Sequence, residues 1–236
     1  MLALKLGQSL TSNNAASINA DTYSIQLTGT EYVSVDGVVN DVNVSQGSIS
    51  LWTKQSSTSG NGVIFKMIAD AENYMQLFYH NGTSQMRAIY ESGNTYRAAN
   101  MTTVIEGDGN WHHLLMTWSV TATDKVNIWL DGVKQAQNTS LVGAWVGSLS
   151  VADIGQNTAS GNFYKGLIDE FSIFDRVVDI GEVFIANRQP INVTGTSGLI
   201  GYWRFEEGTG SVASDSSGKA NTGTLFNSPA WTTDTP

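Results

Sequence analysis

Two pairs of adjacent acidic residues, Asp169-Glu170 and Glu206-Glu207, are the first candidates for chemistry in this sequence. Two carboxylates can hydrolyse a glycosidic bond when one acts as the acid and the other as nucleophile or base, and both must then face one cleft. Neighbouring side chains on a strand point to opposite faces. We therefore expect neither pair to form a catalytic dyad, and we predict that the chain is not an enzyme.

The dipeptide His112-His113 is the second candidate, because imidazole is both a common metal ligand and a common general base. Neighbours on a strand again point in opposite directions, and the third histidine, His80, lies beside the dipeptide Asn81-Gly82. This arrangement favours structural packing over metal binding or catalysis.

Aromatic residues in segments rich in glycine and asparagine are the third candidates, because an exposed ring flanked by amide and carboxyl groups can bind a sugar. The candidates for glycan binding are Tyr96, Trp145, Phe163 and Tyr164. The alternative is that these rings are buried and cap the ends of the fold, as Trp and Tyr usually are.

Short segments dense in β-branched and aromatic residues position these candidates, and many of them alternate apolar with polar residues, which predicts half-buried strands. The segments are 24–35, 48–53, 63–68, 74–79, 85–90, 113–120, 126–130 and 133–135. Strands spaced in this way, with almost no helix, predict an all-β fold with two packed antiparallel sheets.

Two dipeptides predict tight hairpin turns with positive φ, Asn81-Gly82 and Asp131-Gly132. One short helix is predicted after Asp179, an N-cap acid with Glu182 three residues on, and it should end near Arg188.

The amino-acid composition argues against several classes of function and of site. Charged residues are 14% of the chain and the formal net charge is −9, so the basic surface that nucleic-acid binding needs is missing. The absence of cysteine excludes disulfides and thiolate metal sites. No segment has the length and apolarity of a signal peptide or a membrane span, so we expect no membrane insertion.

Three stretches carry a family resemblance. The first is residues 109–118 (GNWHHLLMTW) with 126–132 (VNIWLDG), the second is 154–155 (IG) with 163–174 (FYKGLIDEFSIF), and the third is 198–208 (GLIGYWRFEEG) with 215–225 (DSSGKANTGTL). Together they resemble the laminin-G-like, concanavalin-A-like jelly-roll family, which includes the pentraxins. The resemblance implies a two-sheet jelly-roll β-sandwich.

The order of these stretches differs from that of the family, in which the third stretch usually opens the domain and here closes the chain. Circular permutation explains this order, since the ends of a sandwich often lie close together. An exchange in which residues 198–236 complete a neighbouring subunit also explains it. We expect residues 1–22 to form an arm or edge strand and residues 23–236 to form one domain.

The resemblance also implies a structural calcium ion, because related jelly rolls hold one with an aspartate equivalent to Asp169 and carbonyls of the first strand. Thr28 stands where the family often has aspartate, which removes one possible ligand. Asp215, in the Asp-Ser-Ser-Gly turn, is a second metal candidate, and its alternative role is to cap its own turn.

Two functions follow as hypotheses. The first is a structural module of a bacteriophage virion, a capsid decoration or fibre-associated protein that binds capsid or fibre proteins or itself as a homo-oligomer. The second is a lectin-like adhesion module that binds cell-surface glycan with the help of calcium. Either would be displayed on a virion or an extracellular surface.

Overall fold

The computed structural model describes residues 21–57, 60–157, 161–185 and 189–236. The arm predicted at the N-terminus therefore lies, up to residue 20, outside the described residues. Among the described residues no helix is long and apolar enough to cross a bilayer.

Strands dominate the structure. In chain order they are β1 (Ser24–Leu27), β2 (Tyr32–Ser34), β3 (Gln46–Gln55), β4 (Gly62–Asp70), β5 (Asn73–His80), β6 (Gln85–Ser92), β7 (Thr95–Asn100), β8 (His112–Ser119), β9 (Val126–Leu130), β10 (Val133–Asn138), β11 (Val151–Ile154), β12 (Gly166–Phe174), β13 (Leu199–Trp203), β14 (Val212–Ala213), β15 (Gly223–Phe226) and β16 (Ala230–Thr232). Two short 3-10 turns span Asp36–Asn40 and Asn81–Thr83, and one α-helix, α1, spans Ile180–Val183.

The strands form two eight-stranded antiparallel sheets. Sheet 1 has the order β10-β9-β8-β3-β12-β1-β16, with β13 also paired to β12, and sheet 2 has the order β14-β15-β2-β11-β4-β5-β6-β7. This arrangement confirms the predicted all-β jelly-roll sandwich with one short helix.

Aromatic side chains from both sheets meet in the core. Phe65 of sheet 2 and Phe171 of sheet 1 have ring centroids 4.9 Å apart, and Trp203 lies 6.0 Å from Phe171 on the other side. All three are fully buried. Such offset aromatic contacts add to the stability gained from burying apolar area, so they fix how the sheets are stacked.

The predicted strand over residues 24–35 is in fact two strands in different sheets. Strand β1 pairs with β12 in sheet 1, whereas β2 pairs with β11 in sheet 2. The chain turns at Gly29, whose φ is +119°, and the Glu31 carboxylate accepts the amide N–H groups of Thr28, Gly29 and Thr30. An apolar and polar alternation cannot reveal such a crossing, because it continues on both sides of the turn.

Both predicted hairpins form, but only one has the predicted turn. Asp131 and Gly132 have φ values of 46° and 81°, as expected for the tight turn between β9 and β10. Between β5 and β6 the loop is longer, and the left-handed residue is Ser84 at φ 49°, not Asn81 or Gly82. The prediction of a two-residue turn there was wrong.

The outer face of sheet 1, the face turned away from sheet 2, carries a second apolar cluster. Leu115, Phe174 and Tyr202 from the sheet pack with Val178 and Val183 from the segment that contains α1. Asp179 and Glu182 form the predicted capping box, but α1 ends at Val183 and residues 186–188 lie outside the described residues.

The C-terminal block contributes strands to both sheets of its own chain. Strand β13 pairs with β12, β15 pairs with β2, and β16 pairs with β1. Strands β1 and β13 lie end to end along one edge of β12, and we call the junction between them, at residues 169–170, the seam. This is the arrangement that circular permutation would produce.

Candidate functional site

A row of polar side chains crosses the outer face of sheet 2. Ser34 lies opposite Asp153, Asp153 opposite Lys66, and Lys66 opposite Gln76 on four adjacent strands. Their chain neighbours, such as Val33 and Ile154, are core residues, so the row points away from the core. The exposed fractions of Asp153, Lys66 and Gln76 are only 3%, 7% and 5%, so these groups lie recessed below the surface.

Side chains that follow β11 contact this polar row. The Asp153 carboxylate accepts a hydrogen bond from Gln156 Nε2 at 3.0 Å, and burial raises the pKa of Asp153 to about 6. The Lys66 ammonium lies 4.2 Å from the centroid of the Tyr74 ring and 3.4 Å from Asn157 Oδ1. Burial lowers the pKa of Lys66. A carboxylate and an ammonium group each have several hydrogen-bonding positions, so both residues could also bond to the hydroxyl groups of a ligand.

Aromatic rings flank the polar row. Phe226 and Tyr32 are stacked with centroids 4.7 Å apart and planes 5° apart, and Phe226 is 40% exposed. At the other end of the sheet, Tyr96 is 43% exposed and lies opposite Glu91. Aromatic surface next to recessed hydrogen-bonding groups is the arrangement that sugar recognition requires.

The other aromatic candidates lie away from this row. Trp145 is half-buried, its ring centroid is 5.7 Å from that of Tyr90, and its indole N–H donates to the carbonyl of Gly147. Phe163 is half-buried and forms a parallel bridge with Val63 beside the start of β4. Among the four candidates, Tyr96 is the one that strand register places on the face that carries the row.

Tyr164 requires a correction. Its exposed fraction is 1%, and its hydroxyl lies 2.6 Å from Thr53 Oγ1 inside the sandwich. The premise that this ring is exposed in a loop is wrong, because the hydroxyl finds a core partner and the ring follows it inward. Tyr164 is a core residue of this structure and offers no ring face to a sugar.

Three carboxylates meet at the seam. Asp169 is fully buried and its Oδ2 atom has no hydrogen-bond partner, and both carboxylate oxygens of Asp21 are likewise buried without a donor. Asp21 contacts both Asp169 and Glu206. Burial raises the pKa of Asp21 to about 7, and burial together with the charge of Asp21 raises the pKa of Asp169 well above its usual value.

A bulge interrupts β12 next to Asp169. Between Asp169 and Ser172 the pairing of β12 with β3 shifts register, and Glu170 adopts a left-handed φ of 48°. The charge of Glu170 contributes to the raised pKa of Asp169, and the regular alternation assumed for this pair is interrupted at the bulge. Glu170 itself accepts a hydrogen bond from the Tyr202 hydroxyl and lies near Arg204.

A buried carboxylate oxygen that accepts no hydrogen bond needs a cation or a proton beside it. Asp169 meets this criterion for a calcium ligand. In the part of the chain that the structure describes, no three acidic, His or Cys side chains are arranged to hold a metal. Calcium takes six to eight oxygen ligands. Asp21 and Asp169 would therefore need backbone carbonyl or water oxygens to complete its coordination.

The carboxylate of Asp215, the second metal candidate, accepts hydrogen bonds from its own turn and from β13. Its Oδ1 atom accepts the amide N–H groups of Tyr202 and Ser217, and its Oδ2 atom accepts the Ser217 hydroxyl and the Asn221 amide. Four donors saturate the carboxylate. The geometry matches the turn-capping alternative and leaves no oxygen for a metal.

The histidines are structural. His112 lies between the Asp108 and Asp131 carboxylates at 2.8 Å each, and its hydrogen bond to Asp131 raises its pKa. His113 is buried against Ser50, and burial lowers its pKa to about 3. This confirms the packing interpretation.

A family model described as the concanavalin A-like lectin/glucanases superfamily matches residues 27–184, which is most of the chain and stops before the C-terminal block. No curated protein matches the sequence.

Solved structures share the fold. A Bacteroides ovatus protein assigned to carbohydrate binding has a TM-score of 0.66 and 15% identity over 92% of this chain, which spans 61% of that protein. The carbohydrate-binding module CBM40 of a Ruminococcus gnavus sialidase, bound to α2,3-sialyllactose, has a TM-score of 0.56 and 12% identity over 67% of this chain and 93% of that one. A heptameric pentraxin from Limulus polyphemus has a TM-score of 0.52 and 13% identity over 70% and 81%.

Proposed function

Because the chain belongs to the concanavalin A-like lectin/glucanase superfamily, we propose that it is a non-catalytic carbohydrate-binding module. Its glycan lies on the outer face of sheet 2. The observation that carries this proposal is the recessed row Asp153, Lys66 and Gln76 between exposed aromatic rings.

The row supplies both kinds of hydrogen-bonding partner that a sugar needs. The Asp153 carboxylate accepts from hydroxyl groups, the Lys66 ammonium donates, and the Gln76 amide does both. Tyr32 with Phe226 at one end, and Tyr96 at the other, offer apolar surface to the C–H faces of sugar rings. A site that extends across several strands suits an oligosaccharide chain.

Related structures support this proposal at the level of the fold. The Bacteroides ovatus protein is assigned to carbohydrate binding, and the Ruminococcus gnavus module holds sialyllactose. We propose the same class of ligand for this chain.

Binding to an array of neutral and sialylated oligosaccharides, followed by calorimetry with the best ligand, tests the proposal. Lys66→Met, Phe226→Ala and Tyr96→Ala should each weaken binding tenfold or more, which corresponds to about 1.4 kcal/mol. Lys54→Met removes a partly exposed lysine of β3 in sheet 1, the opposite sheet, and should leave the affinity unchanged. Equal affinity in all variants would refute the sheet 2 site.

A bacteriophage capsid-decoration or fibre-associated role remains a second proposal. It concerns where the module is displayed, and a glycan-binding face is compatible with display on a virion or another extracellular surface. Co-sedimentation of the protein with purified phage particles, with and without competing glycan, tests this role. Failure to sediment with any particle would count against it without affecting the glycan proposal.

We also propose that Asp169 and Asp21 hold a structural calcium ion at the seam. Calcium would add positive charge beside these buried oxygens, and it would join β12 to the segment that precedes β1. A ligand that binds only the folded state raises its stability. Calcium should therefore raise the midpoint of thermal unfolding relative to the protein with chelator.

The calcium experiment compares a variant at the proposed site with a matched variant elsewhere. Asp169→Asn should abolish the calcium-dependent shift, whereas Asp70→Asn, at an exposed turn, should retain it. Magnesium, which demands six ligands at shorter distances, should shift the midpoint less. An identical midpoint with calcium and with chelator would contradict the proposal.

A further inference from the structure

A second recess lies on the opposite side of the molecule, over the outer face of sheet 1. It has a volume of about 440 Å³, within the range of small-molecule sites. Strands β8 and β9 form its floor, and the loop 122–124 and the segment 177–180 form its walls. We propose that this recess binds a neutral sugar ring, at a site separate from the one on sheet 2.

The floor carries a buried polar group that needs a partner. Asn127 lies opposite Thr117, and its side-chain amide donates to Thr117 Oγ1 at 3.1 Å. Asn127 is only 7% exposed, and its Oδ1 atom has no hydrogen-bond partner. Turning the amide over would leave its nitrogen unpaired instead, because Thr117 satisfies only one of the two atoms. In either orientation one atom of the amide is left without a partner, and Asn127 lines the recess.

Apolar groups stand beside this amide. Trp129 follows Asn127 by two residues on β9, so both side chains project from the same face of the sheet. Across the recess, Val177, Val178 and Ile180 supply aliphatic surface. A pyranose ring has apolar C–H faces and hydroxyl groups around its edge, and it fits between an indole and aliphatic groups with one hydroxyl on Asn127.

The charges of the recess favour an uncharged ligand. Lys134 pairs with Asp124 at 2.9 Å and lies 5.1 Å from the centroid of the Trp129 ring, so its charge is already compensated. Asp179, also in the lining, leaves the recess with an excess of negative charge. An acidic sugar would therefore be repelled, in contrast to the sialylated ligand of the Ruminococcus gnavus module.

The buried amide is easier to explain as a binding group than as a structural one. A buried amide oxygen without a partner destabilises a fold, and a leucine of similar shape would remove that cost. The site does not rest on the sheet 2 proposal, because its residues come from the other sheet. If both sites bind, one molecule can connect two glycan chains.

Titration with lactose, followed by the resonances of the Asn127 side-chain amide and the Trp129 indole N–H, tests this inference. A single small ring should bind with a dissociation constant on the order of 1 mM. Asn127→Leu and Trp129→Ala should weaken this binding at least tenfold, and Asn110→Leu, at an exposed asparagine, should not. Sialyllactose at the same concentration should perturb these two resonances less than lactose does, because its negative charge is repelled.

Stability provides the readout that separates binding from packing. Asn127→Leu should unfold at the same temperature as the unaltered protein or a higher one, while lactose binding at the recess is lost. Tyr96→Ala should leave the Asn127 and Trp129 responses intact, so a failure of the sheet 2 site is distinguishable. If none of lactose, glucose and mannose moves the two resonances, or if Asn127→Leu lowers stability and leaves binding unchanged, the inference is wrong.

Discussion

Asp215 Oδ1 accepts the backbone N–H of Tyr202 at 3.0 Å, which fastens the turn after β14 to the edge of strand β13. The edge amide of a strand is thus satisfied by a side chain and not by another strand. Asn221, held by the same carboxylate, accepts the indole N–H of the buried Trp203 through its carbonyl at 2.9 Å. The Asp-Ser-Ser-Gly turn therefore stabilises the C-terminal block.

Asp215→Ala should lower the free energy of unfolding by about 3 kcal/mol, because it leaves several amide donors without an acceptor. Urea denaturation measures this loss. Asp215→Asn keeps one acceptor oxygen for Tyr202 and Ser217 and should lose less. Removing an exposed ion pair lowers the free energy of unfolding by about 1 kcal/mol at most. A smaller loss in Asp215→Ala would show that the turn does not stabilise β13.

His113 should make the protein sensitive to acid. Burial lowers its pKa from 6.5 to about 3, so the unfolded chain takes up a proton at a higher pH than the folded chain does. The stability contributed by neutral His113 is complete above pH 6.5 and is lost as the pH falls towards 3. Between pH 7 and pH 5 the loss should be about 2 kcal/mol.

The comparison for His113 is His113→Gln, which keeps a polar atom near Ser50 without a titrating group. Urea denaturation at both pH values should show that the unaltered protein loses about 2 kcal/mol more than the variant does. Parallel loss of stability in the two proteins would assign the acid sensitivity to other groups.

Glu182 holds the start of α1 together. Its carboxylate accepts the backbone N–H of Asp179 at 2.8 Å and pairs with the Arg176 guanidinium through both oxygens. Glu182→Ala should cost about 1 kcal/mol, the usual value of a lost cap. Hydrogen exchange should increase in residues 176–184 and stay unchanged in β5 and β6. Unchanged exchange in residues 176–184 would show that the cap does not order this segment.

The arrangement of the C-terminal block predicts that the chain order can be changed. Ser24 Oγ donates to the carbonyl of Asp234 at 2.8 Å, so the two ends of the described chain are adjacent. A protein that begins at Gly195, continues through residue 236 directly into residue 21, and ends at Thr194 should fold as a monomer. Circular dichroism and sedimentation measure this, and an aggregated or dimeric product would favour exchange between subunits.

The fold could be predicted because the features that specify it lie in short stretches of consecutive residues. Alternating segments, the Asp131-Gly132 turn and the family stretches each occupy a few consecutive residues. The split between β1 and β2 could not be predicted, since the turn at Gly29 depends on the Glu31 carboxylate and on which sheet each strand joins.

The candidate sites depend on register, which the sequence does not state. Asp153, Lys66 and Gln76 come from three strands of sheet 2 and become neighbours only through pairing across those strands. Asp21 and Asp169 lie far apart in the sequence and meet only at the seam. The resemblance did single out Asp169, whereas Tyr164 follows the buried alternative, because loop composition does not reveal which way a ring points.

The pairing of β1 with β16 has a mechanical consequence. Ser24 lies opposite Thr232, and the chain leaves both strands at that same end of the pair. A force that pulls the two ends apart would break the hydrogen bonds between β1 and β16 one after another. It would not load all of them at the same time, as a shearing force does. We expect β16 to detach at low force while the two layers of the sandwich stay intact.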